Sequence, residues 1–178
     1  MAQLLTVSGS LRTGSSNSTL LEAAARVAPD GVVVTPYTGL AALPAFSPDI
    51  EESGSMTPAA VAHWRAALAG ADAVLFSSPE YAHGIPGVFK NALDWVVGSG
   101  ELVEKRVGLL SPSAMSQFAH PQIVEVLRTM SAALVPRATL VIDLPRRGLD
   151  VDRLVGDPAV VPVLRGVIFA LLGVDCAT

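Results

Sequence analysis

The stretch VSGSLRTGSSNS, residues 7 to 18, gathers small hydroxyl side chains around one arginine, directly after an apolar run and directly before a helical pattern. Ser10, Ser15, Ser16 and Asn17 offer neutral donors, and Arg12 adds a permanent charge whose forked N–H groups suit phosphate oxygens. Where such a loop enters a helix, free backbone N–H groups and the positive end of the helix dipole favour an anion. The chemistry on offer is therefore the grip of a phosphate monoester. The spacing is neither G-x-G-x-x-G nor G-x-x-x-x-G-K-S/T, which disfavours a dinucleotide fingerprint and a nucleoside triphosphate loop. Ser, Thr, Gly and Asn are equally ordinary loop and cap residues, so on composition alone a connector and a phosphate cradle stand level.

A second stretch, SSPEYAHGIPGVFKNALDW at 77–95, carries two prolines and two glycines before its helical part. Stiffened in this way, its backbone amides across Pro79, Glu80, Ala82, His83 and Gly84 can meet the edge of a planar ligand, and Tyr81 supplies an aromatic wall. Glu80 and Lys90 are expected to pair with each other instead of serving as acid and base. A third stretch, SPSAMSQFAHP at 111–121, offers the hydroxyls of Ser111 and Ser113 from the far side of the same pocket. The histidines His63, His83 and His120 are scattered without metal-ligand spacing, and no Ser/His/Asp constellation with local context is present. No catalytic side chain and no metal site are expected.

These loops need a scaffold that brings them together. Apolar runs at 3–8, 31–36, 73–77, 105–110 and 139–143 read as strands. Helical periodicity fills the gaps: Leu20, Leu21, Ala24 and Ala25 after a Ser16 or Asn17 cap, then residues 57–69, 87–97 and 121–134, and a last amphipathic stripe from Asp157-Pro158 onward. The alternation implies βαβ units with right-handed crossovers, hence an α/β protein built as a three-layer α/β/α sandwich on a parallel sheet. In such sheets ligands lie beyond the carboxyl ends of the strands, where all three loops emerge. The irregular stretch at 37–56 is too long for an ordinary connection. The helix at 87–97, apolar on two sides, reads as a contact between subunits.

With 178 residues, 51% hydrophobic and 16% charged, the chain suits one domain over 1–178. A net charge of -4 argues against nucleic acid or an anionic membrane as partner. The single cysteine, Cys176, has no disulfide partner, and no basic and apolar leader opens the chain, so a cytoplasmic setting is expected.

Several of these residues also carry a family resemblance. Gly9-Ser10-Leu11-Arg12 with Ser15 and Asn17, Leu43-Pro44 to Phe46, Pro48-Asp49, Pro79-Glu80-Tyr81, Ile85-Pro86-Gly87 and Lys90-Asn91-Ala92-Leu93-Asp94-Trp95 follow one another in the order and spacing of the NADPH-dependent FMN reductase family, across about residues 4 to 142. The resemblance implies a flavodoxin-like fold of strand order 2-1-3-4-5 and non-covalent FMN in a homodimer or homotetramer. It also implies hydride transfer from NADPH or NADH to FMN and on to a small-molecule acceptor: a flavin, quinone, azo dye or metal oxyanion. By position, Ser10, Arg12, Ser15 and Asn17 would hold the phosphate, and Pro79, Glu80 and Tyr81 would border the isoalloxazine. The chain departs from the family at Ala82, where a polar residue is usual, at His83-Gly84, and after the fourth strand, where Pro112 and Met115 replace a glycine-rich run. A flavodoxin-like electron carrier is the alternative reading; a strongly acidic docking face would mark it, and -4 is mild.

Overall fold

The computed structural model describes residues 1–52, 57–144 and 149–173. Its centre is β3 (Ala73–Ser77), five residues with every side chain buried, as an apolar run covered on both faces requires. On one side of it lies β1 (Ala2–Ser8), then β2 (Val32–Tyr37); on the other β4 (Arg106–Ser111), then β5 (Ala133–Val141). All four pairings are parallel, and the order β2-β1-β3-β4-β5 is the one implied by the family resemblance.

Helices cover both faces. α1 (Ser16–Arg26) follows β1; α2 (Pro48–Glu52) and α3 (Ala59–Ala69) precede β3; α4 (Gly87–Asp94) and α5 (Ala119–Thr129) follow β3 and β4; α6 (Val151–Val155) and α7 (Val160–Leu172) close the described chain. Alternation along the strands divides the core into two layers. Leu5, Val7, Val74 and Phe76 face Trp64 of α3 and Phe89 of α4, whereas Leu4, Ala73 and Leu75 face Leu20 of α1 and Leu164 of α7. Trp64 and Trp95 are both fully buried, and each gives its indole N–H to a backbone carbonyl, that of Ala92 for Trp64 and that of Pro44 for Trp95, both at 2.8 Å. The second bond pins the stretch 37–47 against the end of α4, with Phe46 edge-on to Trp95.

Several expected boundaries move. The long irregular stretch contains a short 3-10 turn at Gly39–Ala42 and then α2, while residues 53–56 lie outside the described ones. The helix expected to run to residue 97 stops at Asp94, and its continuation is a series of turns. The helix expected over 121–134 ends at Thr129: Ser131 adopts φ 58° and its carbonyl accepts the Glu104 N–H at 2.8 Å, so Leu134, which fits a helical stripe by spacing, belongs to β5. Cys176 lies outside the described residues. Among the described residues no helix is long and apolar enough to cross a membrane.

The outer strands carry proline, Pro36 in β2 and Pro136 in β5. The β4–β5 ladder is irregular at Pro136: Val107 faces Leu134, but Leu109 faces Thr139. Gly108 sits at that shift, where an added Cβ would meet the Ala138 carbonyl at 2.8 Å and the Ala138 Cβ at 2.9 Å. Backbone and a strand methyl cannot swing away. Gly108→Ala is therefore expected to cost about 1–3 kcal/mol by overpacking; a urea midpoint equal to that of the unaltered protein would contradict this.

Candidate functional site

The chain runs from β1 outward to β2 and then back across to β3, so the connections leaving β1 and β3 diverge and open a crevice at the carboxyl edge of the sheet. The two strand ends nevertheless stay close. The Gly9 N–H donates to the Ser77 carbonyl at 2.8 Å, and a Cβ on Gly9 would lie 2.5 Å from the Ser78 Oγ and 3.2 Å from the Phe89 ring. Only glycine fits there.

From Gly9 the loop climbs to α1. Ser15 is its N-cap, its hydroxyl accepting the Asn17 N–H at 3.3 Å. The Asn17 side chain is buried: its Oδ1 accepts the Ser77 hydroxyl at 2.9 Å and its Nδ2 reaches the Ser15 Oγ at 3.4 Å. Ser10 is buried too, and its hydroxyl accepts the Arg12 N–H at 3.3 Å. Above this buried layer the Arg12 side chain is exposed, and among the described residues no carboxylate pairs with it. The N–H groups of Leu11, Thr13, Gly14 and Ser16 likewise make no hydrogen bond within the described residues.

Of these, Arg12 and Ser16 line a cleft of about 430 Å³. It brings together Arg12, Ser16 and Asn17 from the first loop, Pro79 and Glu80 from the second, and Ser113 from the third. Ser10, Ser15 and Ser111 do not line it; they sit beneath as buried supports. The segment Tyr81 to Gly84 does not line it either, and forms a tight turn beside it in which Tyr81 and Gly84 exchange backbone hydrogen bonds at 3.1 and 3.0 Å. Sequence reasoning had not singled out Ser78, Ser116 and Leu144, which complete the lining with Pro112 and Met115. Ser78 was signalled by its place directly after a strand end, and Leu144 by the exit of the fifth strand at the same edge.

The expected Glu80–Lys90 pair is not formed. Lys90 binds Asp94 one helical turn on. Glu80 instead accepts the backbone N–H groups of Phe118 and Ala119 at 2.7 and 2.8 Å, capping α5 from across the cleft. The Ala119 N–H, aided by that of Phe118 and by nearby His83, holds the Glu80 carboxyl below the usual carboxylate range. Two further contacts join these segments: the His83 ring stacks on Phe118 with centroids 4.3 Å apart, and the Gln122 side chain donates to the His83 carbonyl at 3.1 Å. At the base of α5 the Ser111 hydroxyl lies 2.7 Å from His120 Nδ1, and burial lowers the His120 pKa, favouring the neutral ring. Among the described residues no group of three or more His, Cys, Asp or Glu is placed to hold a metal.

Residues 2–145 match the model of the NADPH-dependent FMN reductase family. The chain belongs to that family. Curated relatives include an NAD(P)H-dependent FMN reductase of Pseudomonas aeruginosa, 39% identical over 93 residues, which are 52% of this chain and 49% of that protein. A quinone reductase of Escherichia coli is 33% identical over 94 residues, 53% of this chain and 50% of that one. The alignments thus span about half the length of these curated relatives. Among solved structures, the flavoenzyme NAD(P)H:acceptor oxidoreductase of Paracoccus denitrificans superposes with a TM-score of 0.80 over 97% of this chain and 96% of that one, at 22% identity. That likeness extends the shared fold beyond the aligned halves.

Against the FMN reductase pattern the turn at 81–84 stands out physically. Ala82 and His83 have φ 49° and 59°, the two positive values of a type I′ turn, which favours Asn-Gly. Alanine lacks the local hydrogen bonding that lets asparagine settle in this region. Ala82→Asn is accordingly expected to stabilise the fold by about 0.5–1 kcal/mol, read as a higher denaturation midpoint; a lower one would show that the turn is not strained at Ala82.

Proposed function

We propose that this chain, acting as one unit over residues 1–178, is an FMN-dependent NAD(P)H oxidoreductase that reduces a small-molecule acceptor such as a flavin, quinone, azo dye or metal oxyanion. The observation that carries the reading is Arg12, unpaired among the described residues, beside the Ser16 N–H, which makes no hydrogen bond among them, at the start of α1 on the wall of a cleft at the carboxyl edge of the sheet. That donor set suits a phosphate monoester, because a guanidinium and a helix N-terminus both favour an anion, and among the described residues no carboxylate pairs with Arg12 and the Ser16 N–H makes no hydrogen bond. The cleft volume falls within the range for small-molecule sites.

In this reading Arg12, Ser16 and the loop N–H groups bind the FMN phosphate, with Ser10, Ser15 and Asn17 fixing the loop from beneath. Pro79 and the neighbouring backbone form one wall for the ring, and Ser113 with Met115 and Ser116 forms the other. When bound, FMN supplies the acceptance of hydride from NADPH or NADH and its delivery to the acceptor. The protein's share is position and electrostatics. Glu80 is occupied by α5 and is not free to act as acid or base. Exposed apolar side chains adjoin the lining residues in sequence, Leu11 beside Arg12 and Tyr81 beside Glu80, and Met115 is itself part of the lining; they suit the stacking of a flat donor or acceptor in alternation, a ping-pong order. Self-association into a homodimer or homotetramer through 87–97 belongs to the same proposal, supported by the exposed Val97 and half-buried Val88. So does a cytoplasmic setting, where reduced nicotinamide nucleotides are supplied.

The test is the visible spectrum of the purified protein before and after anaerobic NADPH. A yellow protein bleached rapidly is the expected result; yellow but unbleached protein would indicate an electron carrier, and colourless protein that FMN cannot reconstitute would remove both. Arg12→Ala is expected to weaken FMN binding by about 1.5–3 kcal/mol, roughly tenfold to 150-fold in Kd, measured by fluorescence titration. Unchanged affinity would take Arg12 out of the phosphate site.

A further inference from the structure

Residues 78–80 and 112–116 are far apart in sequence, yet together they make two walls of the cleft. Glu80 joins them. Its Oε2 accepts both the Phe118 and Ala119 N–H groups, which as first donors of α5 have no carbonyl within their own helix. Phe118, the residue at the N-cap position, supplies no side-chain cap, so the carboxylate from 38 residues earlier takes that place. The wall it anchors carries Ser116, whose Oγ is buried and finds no partner among the described residues.

We propose that Glu80 is a positioning residue: its ionised carboxylate clamps the start of α5 and so sets the 112–118 wall of the cleft. The charge matters as well as the shape, since a carboxylate accepts two N–H bonds through one oxygen and meets the positive end of the α5 dipole, whereas an amide or a protonated acid offers a weaker acceptor. The charged and titratable groups around it are His83 on its own turn, His120 one residue beyond Ala119 and engaged with Ser111, and Arg12 across the cleft. The sign follows from the cap. Glu80 has a folded pKa below its unfolded value, so the clamp is fully present above the ordinary carboxylate range and is lost as pH falls through the lower folded value.

The inference rests on the FMN reading only for its second measurement. The first is hydrogen exchange of the Phe118 and Ala119 amides in the protein without added FMN, corrected for intrinsic rate, with Leu75 in β3 as reference. Glu80→Gln is expected to raise exchange at those two amides about tenfold at neutral pH, the scale of a lost cap, with Leu75 unchanged. In the unaltered protein the same rise appears only on acidification, and in E80Q that acid limb disappears. The second measurement is FMN affinity, expected to fall on the same acid limb in the unaltered protein and to be lower and free of that limb in E80Q. Amides equally protected in E80Q would overturn the clamp, whatever FMN does. Faster exchange in E80Q with no FMN binding by either protein would leave the clamp standing and remove the FMN reading. If E80Q fails to fold, the acid limb of the unaltered protein decides: its absence at Phe118 and Ala119 overturns the proposal.

Discussion

Asn17 and Ser77 form one buried hydrogen bond at 2.9 Å, and the geometry of the cleft follows from it. Ser77 ends β3 and Asn17 lies in the first turn of α1, so the bond fixes a helix start to a neighbouring strand end. A carboxamide out of water must have partners, and here Ser77 and Ser15 meet it on its two ends. With the Gly9 N–H on the Ser77 carbonyl, the ends of β1 and β3 are locked side by side and α1 points its free N–H groups into the crevice between their loops. Arg12 then stands on a rigid base, though its own side chain is exposed.

Much of this was legible in the chain. β1, β3 and β4 are apolar runs buried on both faces, so they read correctly without reference to anything distant, and the alternation of strand and helix fixed the parallel topology through the handedness of crossovers. Arg12, Ser16 and Asn17 were identifiable because a loop after the first strand and before a helix has a restricted set of uses. What stayed hidden depends on backbone groups, which leave no mark in residue types. Glu80 and Lys90 look like partners when charges alone are compared, but Glu80 finds two unsatisfied N–H groups at the start of α5, visible only once that helix is in place. The left-handed turn at Ser131 had no glycine to announce it, so the apolar spacing of Met130 and Leu134 suggested a helix running past its true end. Ala82 and His83 concealed a type I′ turn for the same reason.

Local and overall charge also part company. The chain carries -4, but at the cleft the carboxylate of Glu80 is answered by helix N–H groups while the guanidinium of Arg12 is answered by nothing among the described residues. Field at a site is set by which charges remain unpaired there, and a mildly acidic protein can present a positive pocket.

The two prolines on the outer strands have a consequence at the scale of many molecules. A parallel sheet ends in two rows of backbone donors and acceptors, which are templates for pairing with another chain. Pro36 removes a donor from one row, and Pro136, with Arg137 beside it and the shifted register against β4, breaks the other. Neither border offers the long, flat, unbroken ladder on which fibrils grow. Growth by sheet extension therefore meets a break at both borders.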